Sequence, residues 1–229
     1  GPGASSHPSH ATFRGPGAFS EPETQAIKTL VESRKFTMLM TYHSFSNLIL
    51  WPWGNTDAPP PDKRLPAIGK KLGDLSGYKP QQSVDLYPTS GDTTDWAFGE
   101  HGIMAYTTEI GSWNDGFDPP YSRMTKFWAE NEPGARLMLQ LAENPSHVFG
   151  PEVAEATVRG GTLSVDMRGA VEAEVFFGQA GADGTGQPVT VNRGRAELRL
   201  PADAAGQLVL VHGKDAKGAW GPIKATFAR

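Results

Sequence analysis

Cysteine is absent from the 229 residues, which excludes a disulfide scaffold, a thiol nucleophile and any cysteine-ligated metal. No apolar run approaches the roughly 20 residues of a membrane-spanning helix, and the longest, 47–53, is strand-sized. Basic charge is not in excess. The 21 Lys and Arg stand against 25 Asp and Glu, a net charge of −4, and no basic block interrupts the chain, which argues against nucleic acid as the main partner. The six histidines come without a His-x-x-Glu, a His-Glu-x-x-His or a close acidic cluster, so no complete metal site is written locally. What remains is a globular composition, 38% hydrophobic and 20% charged, in a chain long enough to bury one large core or two modest ones.

The first residues, Gly1-Pro2-Gly3, carry neither Met nor a charged-then-apolar leader. They read either as a cloning scar or as a loop whose preceding half lies elsewhere. Loop composition continues to Gly17. Ser20-Glu21-Pro22-Glu23 then reads as a capping box with Pro in the first turn, opening a helix to about Ser33. Apolar strands are expected at 36–42, 46–52 and 103–109, and helices at 65–75, 94–99 and 123–143, the last broken at Asn131-Glu132-Pro133-Gly134. After Asn144-Pro145 the pattern changes to alternation, in seven short segments from Thr157 to Phe227 separated by Gly, Asp, Asn and Pro. The expected architecture is therefore an α/β mixed-sheet domain over 1–150, followed by a small antiparallel all-β sandwich over 151–229.

His43 and Glu109 each end an apolar strand, the place where ligands collect in open α/β sheets. Each has a plain alternative, a packed histidine for one and a helix cap or ion pair for the other. A buried carboxylate at Glu109 needs a partner. Tyr87 lies in a loop rich in Ser, Thr, Gly and Asp. The His7-x-x-His10 pair sits in a flexible segment and reads as a solvated loop. In the sandwich, Trp220 and Phe177 read as packing residues, and no site is legible there.

Three motifs, taken together, carry a resemblance. The segment Thr41-Tyr42-His43-Ser44-Phe45-Ser46-Asn47 through Trp53-Gly54 resembles the surroundings of the last zinc ligand in the zinc metallocarboxypeptidases of the A/B/T type. Leu86-Tyr87-Pro88 through Gly91-Asp92-Thr93-Thr94-Asp95-Trp96 resembles their mobile tyrosine loop and specificity pocket. Tyr106-Thr107-Thr108-Glu109, followed by Gly116-Phe117-Asp118-Pro119, resembles the strand that ends in their catalytic glutamate. The resemblance covers about residues 3–143. It implies His43 as a Zn2+ ligand, Glu109 as general base and acid, and Tyr87 over the substrate's terminal carboxylate. It also implies Gly54 as a pocket wall and Asp92 and Thr94 as selectivity positions, similar to the carboxypeptidase T branch, which takes apolar and basic C-terminal residues. Cis bonds at Ser44–Phe45 and Pro52–Trp53 are expected on the same ground.

The departure from the family matters equally. Its His-x-x-Glu ligand pair, its substrate-clamping Asn-Arg and its oxyanion-stabilising Arg have no counterpart here, and one histidine does not hold catalytic zinc. The expectation is thus the C-terminal half of a catalytic domain plus a sandwich. The implied partners are peptide or protein C-termini and an N-terminal half, the implied setting is secreted, and the chain alone is expected to be inactive. A non-catalytic peptide- or glycan-binding fragment is the competing reading.

Overall fold

Alternating helical and extended segments in the first part of the chain, and extended segments alone in the second, lead to two different architectures. A computed structural model describes residues 3–228. The chain divides into two compact units, Gly1–Met138 and Leu139–Arg229.

The first unit is built on a mixed sheet of four strands. These are β1 (Met38–His43), β2 (Leu48–Trp51), β3 (Lys79–Gln82) and β4 (Met104–Glu109), ordered β1, β4, β2, β3. β1 runs parallel to β4 and β2 parallel to β3, while β2 and β4 are antiparallel. All four residues of β2 are buried, so it reads as a continuous apolar run rather than an alternation. Helix α1 (Pro22–Glu32) and helix α3 (Thr93–His101) contribute Val31 and Ala97 to a buried cluster with Ile103 and Ala105.

Helix α2 (Arg64–Ser76) lies against β2 through Gly69. A Cβ at that position would come within 2.4 Å of the Trp51 ring, so only glycine permits the approach. The fully buried Tyr106 of β4 donates its hydroxyl to the Leu65 carbonyl at 3.1 Å, a bond that satisfies its one polar atom. The Ser44–Phe45 and Pro52–Trp53 peptide bonds are both cis.

Two local expectations are corrected. Ser20 does not cap α1: the N-cap position falls at Glu21, and the Ser20 hydroxyl donates to the Glu21 carboxylate at 2.9 Å, which takes it away from the helix N–H groups. The predicted break at 131–134 is absent, since α4 (Met124–Leu141) runs through Pro133. Within the turn before that proline, Asn131 Nδ2 donates to the Phe127 carbonyl at 2.8 Å and to the Tyr78 hydroxyl at 3.2 Å, and the Tyr78 hydroxyl donates to Glu130 at 3.1 Å. The two contacts to Tyr78 reach across the chain and anchor the helical path where the local signal favours a turn.

In the second unit the seven alternating segments all form strands. They are β5 (Glu155–Arg159), β6 (Thr162–Asp166), β7 (Glu172–Phe177), β8 (Gln187–Asn192), β9 (Arg195–Arg199), β10 (Leu208–Lys214) and β11 (Lys224–Phe227). Every pairing is antiparallel, in the order β11, β10, β7, β8, β9, β6, β5. Leu163, Val175, Val209 and Val211 are 0–1% exposed at its centre, and Phe177 packs against that cluster.

Candidate active site

The site is approached from the last residues of two parallel strands, His43 of β1 and Glu109 of β4. β1 and β4 run in the same direction with Met38 opposite Met104, and the register carries through to His43 opposite Glu109. Residues directly opposed across two strands present their side chains to the same face. An imidazole and a carboxylate therefore stand side by side at one rim of the sheet, joined below by the Ile110 N–H donating to the His43 carbonyl at 2.8 Å.

That rim opens into a cleft of about 270 Å³ lined by His43, Glu109, Tyr87, Asp92 and Thr94 among others. Leu50, Thr41 and Thr107 form its floor with the strands, and the Thr41 and Thr107 hydroxyls bond each other at 2.8 Å. Tyr87 is exposed, on the loop after a short 3-10 turn at Ser83–Asp85. Glu109 is 9% exposed, and burial pushes its carboxyl above the ordinary range, an effect that His43 opposes. A buried carboxylate of raised proton affinity lining a cleft has the chemical profile of a general base that also returns the proton.

The wall of the cleft is built by the start of α3. Asp92 is its N-cap and accepts from the Asp95 N–H and the Thr94 hydroxyl, both at 2.8 Å through Oδ1, while Oδ2 accepts from the Thr89 hydroxyl at 2.8 Å. Asp92 thus faces the cleft with both oxygens engaged by its own loop. Gly54 stands behind it: a Cβ there would lie 2.2 Å from Thr89 Oγ1 and 2.9 Å from Asp92 Oδ2, so a larger residue would push apart the Thr89–Asp92 hydrogen bond. The Gly54 N–H donates to both oxygens of the buried Asp95, at 2.9 and 3.0 Å. Burial raises the Asp95 carboxyl first of all, and the Asp92 charge adds to this. Sequence reading missed Asp95 as a determinant of the wall. The Asp-x-x-Asp spacing at a helix start was the available signal, because the first acid caps the N–H of the second.

His43 is the one imidazole lining the cleft. Among the described residues, the one group of three His, Cys, Asp or Glu whose ligand atoms come within 4.8 Å of one another is His147, Asp183 and His212, in the second unit. His7 and His10 do not join His43. Each bonds its own loop, to Ser9 and Thr12. The described residues at the cleft therefore do not complete the three-ligand set of a catalytic zinc.

Comparison with known proteins places these features. The family model described as zinc carboxypeptidase matches residues 1–134. A zinc carboxypeptidase from Saccharothrix mutabilis subsp. capreolus is 32% identical over 135 residues, which cover 55% of this chain and 29% of that protein. Carboxypeptidase A1 of Mus musculus is 36% identical over 118 residues, 48% of this chain and 28% of that protein. Carboxypeptidase A from Helicoverpa armigera superposes with a TM-score of 0.52 at 26% identity, covering 63% of this chain and 40% of that one. The chain spans less than a third of the length of these two curated relatives.

Proposed function

Since the chain belongs to the zinc carboxypeptidase family, we propose that it contributes the general base, the substrate-covering tyrosine and one metal ligand to an enzyme that hydrolyses C-terminal peptide bonds. The observation that carries the proposal is the opposition of His43 and Glu109 at the ends of two parallel strands, in a cleft that Tyr87 also lines. Zn2+ is the metal the family implies. It would supply Lewis-acid chemistry, and His43 is the residue of this chain that would hold it in the cleft.

The remaining chemistry belongs to side chains. Glu109, raised in proton affinity by burial, takes a proton from the attacking water and passes it to the departing amine. Tyr87 sits on an exposed loop at the cleft mouth, where its hydroxyl reaches a free terminal carboxylate. Thr94 and Asp92 on the wall favour a pocket for apolar and basic side chains. The ligand set is completed by an N-terminal half of the catalytic domain, and the complete enzyme acts outside the cell. Among the described residues no helix is long and apolar enough to cross a membrane.

The test uses the full-length enzyme and two peptides that differ only in a free or amidated C-terminus. Hydrolysis of the free acid alone is expected. Glu109→Gln should lower kcat by about 10²–10⁴-fold with zinc still bound, because it keeps the shape and removes the base. His43→Ala should lower zinc occupancy itself, and Tyr87→Phe should act mainly on KM, since the hydroxyl gathers substrate and does not take part in proton transfer. Near-normal turnover by Glu109→Gln would overturn the assignment. Binding of peptide without hydrolysis by the full-length protein would favour a recognition module instead.

A further inference from the structure

Three separate parts of the second unit bring ligand-type side chains together. His147 comes from the 3-10 turn Pro145–Phe149, Asp183 from the loop between β7 and β8, and His212 from β10. One ligand atom from each lies within 4.8 Å of the others. The two imidazoles are 2% and 0% exposed.

The contacts around them call for one positive charge, which a ring proton or a metal ion supplies. His212 Nδ1 donates to the Gly221 carbonyl at 3.1 Å. A carbonyl oxygen only accepts, so Nδ1 carries a ring proton. Nε2 of the same ring stands 2.7 Å from Oε1 of Glu174, which is 2% exposed. The same oxygen accepts from the Gly184 N–H at 2.8 Å, and Oε2 accepts from the Gly186 N–H at 2.7 Å. Either a second ring proton on Nε2, making an imidazolium–carboxylate pair, or a metal ion that replaces that proton meets this contact. On the other side, His147 Nε2 faces both Asp183 oxygens at 2.9 and 3.1 Å, while its Nδ1 is buried without a hydrogen-bond partner. A buried nitrogen without a partner is costly and calls for a bound group.

We propose that His147, Asp183 and His212 bind a divalent transition-metal ion of the Zn2+ class, with Glu174 beside it balancing the charge. Two neutral imidazoles, the buried Glu174 carboxylate and the part-exposed Asp183 carboxylate are balanced in charge by one divalent cation. Imidazole with carboxylate suits Zn2+ and its neighbours rather than Ca2+ or Mg2+, which prefer oxygen alone. The Nδ1–H bond from His212 to a backbone carbonyl is the outer-shell contact by which ligand histidines are oriented. Trp220 stacks on the His212 ring at 4.5 Å and shields that side from water. The ion would clasp the turn before β5, the β7–β8 loop and β10, three segments that no disulfide can join.

The experiment takes the whole chain, stripped with a chelator, and titrates it with Zn2+ alone by calorimetry. It is run on the native sequence, on His43→Ala to remove the cleft ligand, and on the His43→Ala/Asp183→Asn double variant. Asp183 is one-third exposed at its side chain, so asparagine should leave the fold intact, which circular dichroism checks. His43→Ala is expected to bind one equivalent of Zn2+, and the double variant to bind roughly tenfold more weakly or worse. Chelation should lower the Tm of His43→Ala and shift that of the double variant less. Absence of Zn2+ binding by folded His43→Ala, or equal affinity in the double variant, overturns the proposal.

Discussion

Asp92 shows how one side chain answers to two demands. As the N-cap of α3 it satisfies the Asp95 N–H, and as a cleft residue it brings negative charge to the wall. Asparagine caps a helix about as well as aspartate, whereas alanine costs about 0.5–2 kcal/mol. Asp92→Ala should therefore lower the Tm, and Asp92→Asn should leave it nearly unchanged. In the full-length enzyme Asp92→Asn should reduce preference for peptides ending in Lys or Arg while sparing those ending in Leu. Parallel melting curves and kcat/KM for the two peptide classes separate the effects. Unchanged selectivity in Asp92→Asn would restrict this residue to capping.

At the scale of elements, Pro133 within α4 and the loop after β4 give opposite lessons. A proline inside a helix forfeits one backbone bond and crowds the preceding turn, at about 3 kcal/mol, partly offset by its smaller unfolded-state entropy. Pro133→Ala should thus stabilise the chain by about 1–2 kcal/mol, read as a higher denaturant midpoint with unchanged slope. The loop 111–123 is held by Asp115. The Arg123 guanidinium bonds it most strongly, with the Ser112 hydroxyl and N–H adding to this, and together they hold its carboxyl well below the usual range. A carboxyl depressed in the fold contributes stability that is complete above its unfolded value, about 4, and fades as the pH falls below it. The Tm gap between the native chain and Asp115→Asn should accordingly be present at pH 6 and shrink by pH 3. A gap independent of pH would mean the loop is held by other contacts.

For the molecule as a whole, the proposed function turns on the count of ligands at the cleft. The cleft holds one imidazole, and catalytic zinc takes three protein ligands. The 229-residue chain with added Zn2+ should show no hydrolysis of peptides with free C-termini, even if the second unit binds the ion. Co-expression with an upstream half should restore it. Zinc-dependent hydrolysis by the chain alone would show that three ligands reach the cleft from within it.

The sequence by itself determined most of the elements. Period-two alternation from Thr157 to Phe227 marked all seven strands of the second unit, and helical spacing marked α1 and α2, because such patterns follow from which faces must be buried. The motifs around His43, Tyr87 and Glu109 pointed to the family and to both cis bonds. Tertiary structure alone decided what depends on register and on contacts between distant segments. It placed His43 opposite Glu109 rather than one residue away, since a slip of one would turn the side chains to opposite faces. It carried α4 through Pro133 and gathered His147, Asp183 and His212 from three separate segments. None of these has a local signature, because each is fixed by where the backbone pairing places residues that the chain order keeps far apart.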